Sequence, residues 1–263
     1  MAKPTIHSLY KAQKNGTAHA QVYAGSLDEA RAAGEAEVGL MVCSKHDVQA
    51  FRAVAPNTFI IAALGINDPA IVSAEQAIAA GFESMRCGAD AVYTGMGLGC
   101  VEAMADESIP VFGHVGLVPY RASWVGGMRA IGRTADEAAD VYRSAKAYED
   151  AGAVGVEMEV VPSRVAETIA ERTNLLIVSM GSGTAGVSQY LFSTDVLGTN
   201  TGHVPRHAKV YADLHAAEQR VHELRVEAMK TFKAEVSDGT YPEEKHTLTI
   251  KDEEFDKFLG LID

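Results

Sequence analysis

Eight short β-type runs alternating with helical stretches, within 263 residues, predict one closed (β/α)8 barrel, a TIM barrel, with a C-terminal helical extension. The length agrees, since such barrels typically run to ~250 residues. Gly, His and Glu motifs also fall directly after the apolar runs, at the strand ends where a barrel of this kind carries its chemistry. The whole of 1–263 reads as a single domain, with 205–263 forming the extension. A doubly wound open sheet is the alternative, because short apolar runs are easily miscounted.

The predicted strands are 19–24, 39–43, 58–64, 91–94, 110–114, 154–159 and 175–180, each rich in apolar and β-branched residues. A weaker eighth strand is placed at 194–199. Segments 27–35 and 69–87 between them carry apolar residues at helical spacing. The best-marked helix is 134–151: Thr134 caps it, Glu137 stands three residues on as a capping-box partner, and Gly152 follows its end. From Pro205 to Asp238 the chain reads as one long helix rich in Ala, Glu, Arg and Lys, with Pro205 near its first turn. In the tail, Lys251-Asp252-Glu253-Glu254 precedes Phe255, Phe258, Leu259 and Leu261, the spacing of a short amphipathic helix.

A net charge of −12 argues against nonspecific binding to nucleic acid or to an anionic membrane. No apolar stretch approaches the ~20 residues of a membrane span. The opening Met-Ala-Lys-Pro-Thr has no apolar signal core, so a cytoplasmic location is expected. Cys43, Cys87 and Cys100 form no Cys-x-x-Cys pair, which predicts three reduced thiols and no zinc knuckle.

Five motifs carry candidate chemistry. Gly113-His114-Val115-Gly116 closes the fifth strand, where His114 could donate a hydrogen bond to an oxyanion or carbonyl oxygen; a structural histidine is the competing reading. Glu159 ends the sixth strand among apolar neighbours, a setting that lifts a carboxyl pKa and suits acid–base work. Glu157 shares its side-chain direction, and sequence alone does not choose between them. Gly181-Ser182-Gly183 follows the seventh strand and is read as preceding a helix, either as an anion-holding turn or as a plain βα connection. Gly202-His203-Val204-Pro205-Arg206-His207 opens the long helix, with Arg206 and Lys209 available for an anion or a subunit contact. Gly126-Gly127-Met128-Arg129-Ala130-Ile131-Gly132-Arg133 reads as a lid from which Arg129 or Arg133 reaches a carboxylate, or as a solvated loop. Metal candidates are few: Asp47 and Asp68 lie beyond strand ends and read first as helix caps, and Asp90 opens a strand at the wrong end of the barrel.

Taken in order, these segments, together with Glu159-Val160-Val161-Pro162 and Gly239-Thr240-Tyr241-Pro242, resemble the ketopantoate hydroxymethyltransferase family. That family belongs to the phosphoenolpyruvate mutase/isocitrate lyase superfamily. The resemblance runs from Lys3 to about His246 and is densest after Gly113. It implies a (β/α)8 barrel in a homo-oligomer of high order. It also implies transfer of a one-carbon group to a small 2-oxo acid, with a folate donor and magnesium.

On the same basis Glu159 corresponds to the family's catalytic base and His114 to its histidine. The metal aspartates are replaced. Cys43 stands at the first, beside a retained Ser44, and Ala63 at the second. The family's Lys-x-Glu falls on Tyr93-Thr94-Gly95, its Tyr-Asp on Tyr23-Ala24, and the chain between Ser44 and Thr58 is shorter. The leading expectation is a divergent enzyme making or breaking a C–C bond next to a small 2-oxo acid or carboxylate. Glu159 and His114 are its catalytic residues, Ser44, Cys43, Tyr93, Tyr23 and Ser182 line its substrate pocket, and no metal ligand is assigned. The two alternatives are a non-catalytic ligand-binding or assembly barrel and a magnesium enzyme with relocated ligands such as Asp47 or Asp68.

Overall fold

The structure is a computed structural model that describes residues 2–64 and 71–262. The expected Asp68 therefore lies outside the described residues. The chain divides into two compact units, Met1–Ala212 and Asp213–Asp263.

The first unit is a closed barrel of eight parallel strands in sequence order. The strands are β1 (His19–Tyr23), β2 (Leu40–Ser44), β3 (Phe59–Leu64), β4 (Ala91–Thr94), β5 (Val111–Gly116), β6 (Gly155–Glu159), β7 (Leu176–Met180) and β8 (Ser188–Phe192). Helices α1 (Ile6–Lys14), α2 (Leu27–Glu35), α3 (Val48–Val54), α4 (Ala74–Arg86), α5 (Leu98–Asp106), α6 (Ala135–Asp150), α7 (Ser163–Arg172) and α8 (Ser193–Leu197) accompany them. Ser26, Ser73 and Thr134 each accept the N–H of the third residue beyond and so start α2, α4 and α6, Thr134 in the capping role expected of it. Glu137 does not complete a capping box: its carboxylate accepts from Gly132 N and Arg133 N, so it braces the preceding loop instead.

Strand alternation sorts two cores. Met41, Cys43, Ile60, Ala62, Val92, Val156 and Met158 face outward into the layer beneath the helices. Leu40, Val42, Phe59, Ile61, Tyr93, Phe112, Val178 and Tyr190 fill the barrel interior. Helix α1 closes the N-terminal end, with Leu9 fully buried in that interior cluster. Tyr10 donates to Val154 O at 2.9 Å, and Gln13 bridges Leu175 O and Ile177 N at 2.8 Å each.

Three expectations are corrected. The eighth strand is Ser188–Phe192, and the residues read as that strand form α8, which ends at Gly198 in the left-handed conformation. No helix follows β7. A loop of residues 181–187 leads straight into β8, which is staggered so that Ser188 pairs with Val178. Gln189 is exposed while Ser188 and Tyr190 are buried, so β8 lacks the continuous apolar run of its neighbours. Gly186, at φ +109°, passes Ile177 so closely that a Cβ would lie 2.2 Å from its carbonyl oxygen.

The third correction concerns the long helix. It is α9 (Leu214–Asp238), begun by Asp213 as cap, and residues 205–213 before it are not helical. The second unit holds α9 and α10 (Asp252–Ile262), the latter with Phe255 and Phe258 in ring contact. No helix among the described residues is long and apolar enough to cross a membrane.

Candidate active site

The C-terminal ends of β4, β5 and β6 bring four side chains together. Inward alternation selects Tyr93, His114, Glu157 and Glu159, all buried. The pairing of His114 with Glu157 and of Gly116 with Glu159 sets the histidine beside both carboxylates. His114 Nδ1 lies 2.6 Å from the Tyr93 hydroxyl, and its Nε2 lies 3.0 Å from Glu159 Oε2 and 3.9 Å from Glu157 Oε1.

With Glu159 ionised, Nε2–H donates to Glu159 and Nδ1 accepts from the Tyr93 hydroxyl. Both ring nitrogens are thus engaged within the protein, which departs from the expected role of His114 as a free donor to a substrate carbonyl. Burial disfavours the imidazolium, but Glu157 and Glu159 outweigh it and leave the His114 pKa raised. Burial lifts Glu157 to about 7, an effect that His114 and the Tyr93 hydroxyl oppose and Glu159 reinforces. Burial, then the nearby carboxylates, drive Tyr93 and Tyr190 well above the ordinary tyrosine range.

The backbone around Glu159 is tightly constrained. Val160 has φ +50°, a conformation costly for a β-branched residue. It is held by Val160 N donating to Met180 O at 2.8 Å and by its own carbonyl accepting from Ile131 N at 3.1 Å. Gly116, at φ +86°, lies so close that a Cβ would stand 2.3 Å from Glu159 O. The glycine after the histidine therefore gives the glutamate room.

The remaining expected positions separate into two groups. Alternation puts Ser44 on the inward side at the end of β2, where its hydroxyl accepts from His46 N at 3.3 Å. Tyr23 packs partly on the interior cluster, its ring 5.2 Å from Phe192. Cys43 faces the other way: it is fully buried with Met41 beneath the helices, and burial pushes its thiol up to about 12. It does not line a pocket, because a one-residue step along a strand reverses the side chain.

Ser182 is likewise withdrawn from a pocket role. Its hydroxyl donates to Met158 O at 2.8 Å and accepts from Val161 N at 2.9 Å, so it fastens the β7 end to the β6 end. Arg129 is no mobile clamp: it donates to Val125 O and Ala130 O and pairs with Glu137 at 2.6 Å. Asp47 occupies the cap position of α3 but makes no side-chain cap bond. Asp90 binds Arg52 and Ile60 N at the other end of the barrel.

Glu157 is the residue that sequence reasoning left out of its site. The signal was present, since Glu157 and Glu159 alternate onto one face. Glu159 alone is named because only it corresponds to the catalytic base of the family that the sequence resembles.

The positions that match the family's metal aspartates do not fit magnesium. Cys43 is a neutral thiol on the outer face, and Ala63 has no donor atom. Among the described residues, His114, Glu157 and Glu159 form the group whose ligand atoms lie close enough to share an ion, within 4.8 Å. Magnesium prefers an all-oxygen shell, and here the nitrogen is already bonded to Glu159.

Barrel and mouth together define a class: (β/α)8 enzymes with acid–base side chains at the C-terminal strand ends. Residues 6–244 match the family described as ketopantoate hydroxymethyltransferase, and the chain belongs to it. It is 35% identical over 210 residues to 3-methyl-2-oxobutanoate hydroxymethyltransferase of Thermus thermophilus, covering 77% of this chain and 76% of that protein. To 3-methyl-2-oxobutanoate hydroxymethyltransferase 1 of Methylibium petroleiphilum it is 30% identical over 223 residues, covering 82% and 71%.

The fold resembles that of phosphonopyruvate hydrolase in complex with oxalate and Mg++, with a TM-score of 0.52, 14% identity and coverage of 100% and 98%. It also resembles 2,3-dimethylmalate lyase, a member of the PEP mutase/isocitrate lyase superfamily, with a TM-score of 0.51, 13% identity and coverage of 99% and 100%.

Proposed function

We propose that this chain makes or breaks a C–C bond next to a small 2-oxo acid or carboxylate, by an aldol-type transfer or lyase reaction, without the family's magnesium site. The observation that carries this reading is the buried chain Tyr93–His114–Glu159 at the barrel mouth, with Glu157 beside it. The relatives' name supplies the substrate class, a 2-oxo acid such as 3-methyl-2-oxobutanoate.

In this reading Glu159 takes the proton from the carbon beside the oxo group. The C–H electron pair moves onto the oxo oxygen as an enolate, and the enolate carbon then attacks a one-carbon electrophile or, in reverse, is released by C–C cleavage. His114 holds Glu159 in place through Nε2 and is itself held at Nδ1 by the Tyr93 hydroxyl. Ser44 and Tyr23 lie toward the mouth to receive the acid. A homo-oligomer in the cytoplasm belongs to the same reading.

The test is exchange of the substrate proton. In deuterated buffer the protein should wash deuterium into 3-methyl-2-oxobutanoate at the carbon beside the oxo group. Glu159→Gln should abolish the exchange while the acid still raises thermal stability. Exchange that survives Glu159→Gln would remove Glu159 from the chemistry.

A further inference from the structure

Taking the proton beside an oxo group puts negative charge on the oxo oxygen, and a donor already aimed at that oxygen stabilises it most. The groups named so far do not supply one. Cys43 and Ala63 present no donor to the mouth, the thiol being on the outer face and the alanine having no polar side-chain atom. His114 gives Nε2–H to Glu159 and accepts the Tyr93 hydroxyl at Nδ1, so both of those side chains are engaged within the protein.

Tyr190 differs from them. It belongs to the interior cluster of the barrel and is only 4% exposed. The pair Gln189–Ser179, continued by one residue, sets Tyr190 level with Met180, and Met180 pairs with Glu159. Glu159, Met180 and Tyr190 therefore form one row on the inner face of β6, β7 and β8. The phenol is near enough to Glu157 and Glu159 to feel both charges. Among the described residues its hydroxyl has no hydrogen-bond partner, although a buried tyrosine ordinarily finds one. Phe192, two residues nearer the mouth, stacks on the Tyr190 ring at 6.1 Å and 22° and pairs in register with Tyr23. The stack fixes the ring and leaves the hydroxyl free. Tyr23 is only half-buried, and the carboxylates it feels are Asp47 and Glu29, not the two barrel glutamates.

We propose that Tyr190 is a further catalytic residue, whose hydroxyl donates a hydrogen bond to the oxo oxygen of the substrate and holds the charge of the enolate formed there. The enolate rests on the reading of Glu159 as the base; the contact with the oxo oxygen does not. The step balances between protein and acid. Glu159 gains the proton, and the C–H pair forms the C=C bond as the C=O π pair moves onto oxygen. The Tyr190 proton stays on the phenol and bridges to that oxygen. Burial and the nearby carboxylates keep the phenol protonated, so it acts as a donor and not as a second base.

Tyr190→Phe tests this, because it keeps the ring and removes only the donor. No protein group loses a partner, so the Tm of the ligand-free variant should hold or rise, which also shows that it folds. Deuterium exchange into 3-methyl-2-oxobutanoate should fall about 100-fold or more, the usual cost of one oxyanion donor, with little change in KM. Infrared difference spectra of the acid carrying carbon-13 at the oxo carbon read the contact without turnover. The carbonyl band of the bound acid should lie lower in wild type than in Tyr190→Phe. Equal band positions, an exchange rate that matches wild type, or an acid that does not bind the wild-type protein would each overturn the proposal. A band shift lost in Tyr190→Phe, from a protein that shows no exchange, would keep this contact and remove the reading of Glu159 instead.

Discussion

Replacing Glu157 with Gln should make the protein more stable at alkaline pH and leave it almost unchanged at acidic pH. The carboxyl titrates at its ordinary 4.5 in the unfolded chain and at about 7 in the folded one, because burial disfavours its charge. Between those values the native state holds the extra proton. Stability therefore falls as pH rises through this window and levels off above it. At roughly 1.4 kcal/mol per pH unit, the rise from 4.5 to about 7 corresponds to about 3 kcal/mol. Glutamine keeps the shape and removes the charge, so it escapes this loss. It also gives up the carboxylate that helps to raise His114, which takes back part of the gain. The expected benefit at pH 8 is about 2–3 kcal/mol, or roughly 5–10 °C in Tm for a protein of this size. Thermal melts of the two proteins from pH 4.5 to 8.5 read it directly, because their difference cancels the titrating groups that do not interact with Glu157. A difference that stays flat across that range would refute a buried, proton-holding Glu157.

Other changes follow from the same geometry. Ser182→Ala strips partners from Val161 N and Met158 O and should cost about 1–3 kcal/mol by denaturant melt, with oxo acid binding preserved. Gly116→Ala forces a side chain against Glu159 O and into an unfavourable φ, so both stability and deuterium exchange should fall; an unaffected exchange rate would contradict the placement. Val160→Gly relaxes the positive φ and should leave stability equal or higher by about 1 kcal/mol, while looser positioning of Glu159 lowers turnover. Cys43→Ala should leave ligand affinity unchanged, since the thiol faces the helices, and a tenfold loss of affinity would put it back in the pocket.

Seven strands were legible, with boundaries within one or two residues of those observed; β2 to β7 are buried on both faces and read as apolar runs, whereas β1 is only partly buried. β8 escaped because the exposed Gln189, between buried Ser188 and Tyr190, interrupts the run. Glu159 and His114 could be named from strand-end position and from the family resemblance. The contact between them could not, because it depends on the register that sets Gly116 beside Glu159 and His114 beside Glu157. Cys43 misled because alignment to a ligand position says nothing about which way a strand residue points. Ser182 misled because a hydroxyl in a glycine turn looks free until its backbone partners are known. The start of α9 was placed too early because Pro205 suits a first helical turn, whereas the cap in use is Asp213.

Helix α1 acts as a cork in the floor of the barrel, with Leu9 driven into the lumen. Traffic to the glutamates is thereby confined to the upper opening. A proton that Glu159 lifts from an oxo acid can therefore reach bulk water only by the way the acid came in, and a non-reacting acid lodged in the mouth should slow the arrival of deuterium at the substrate.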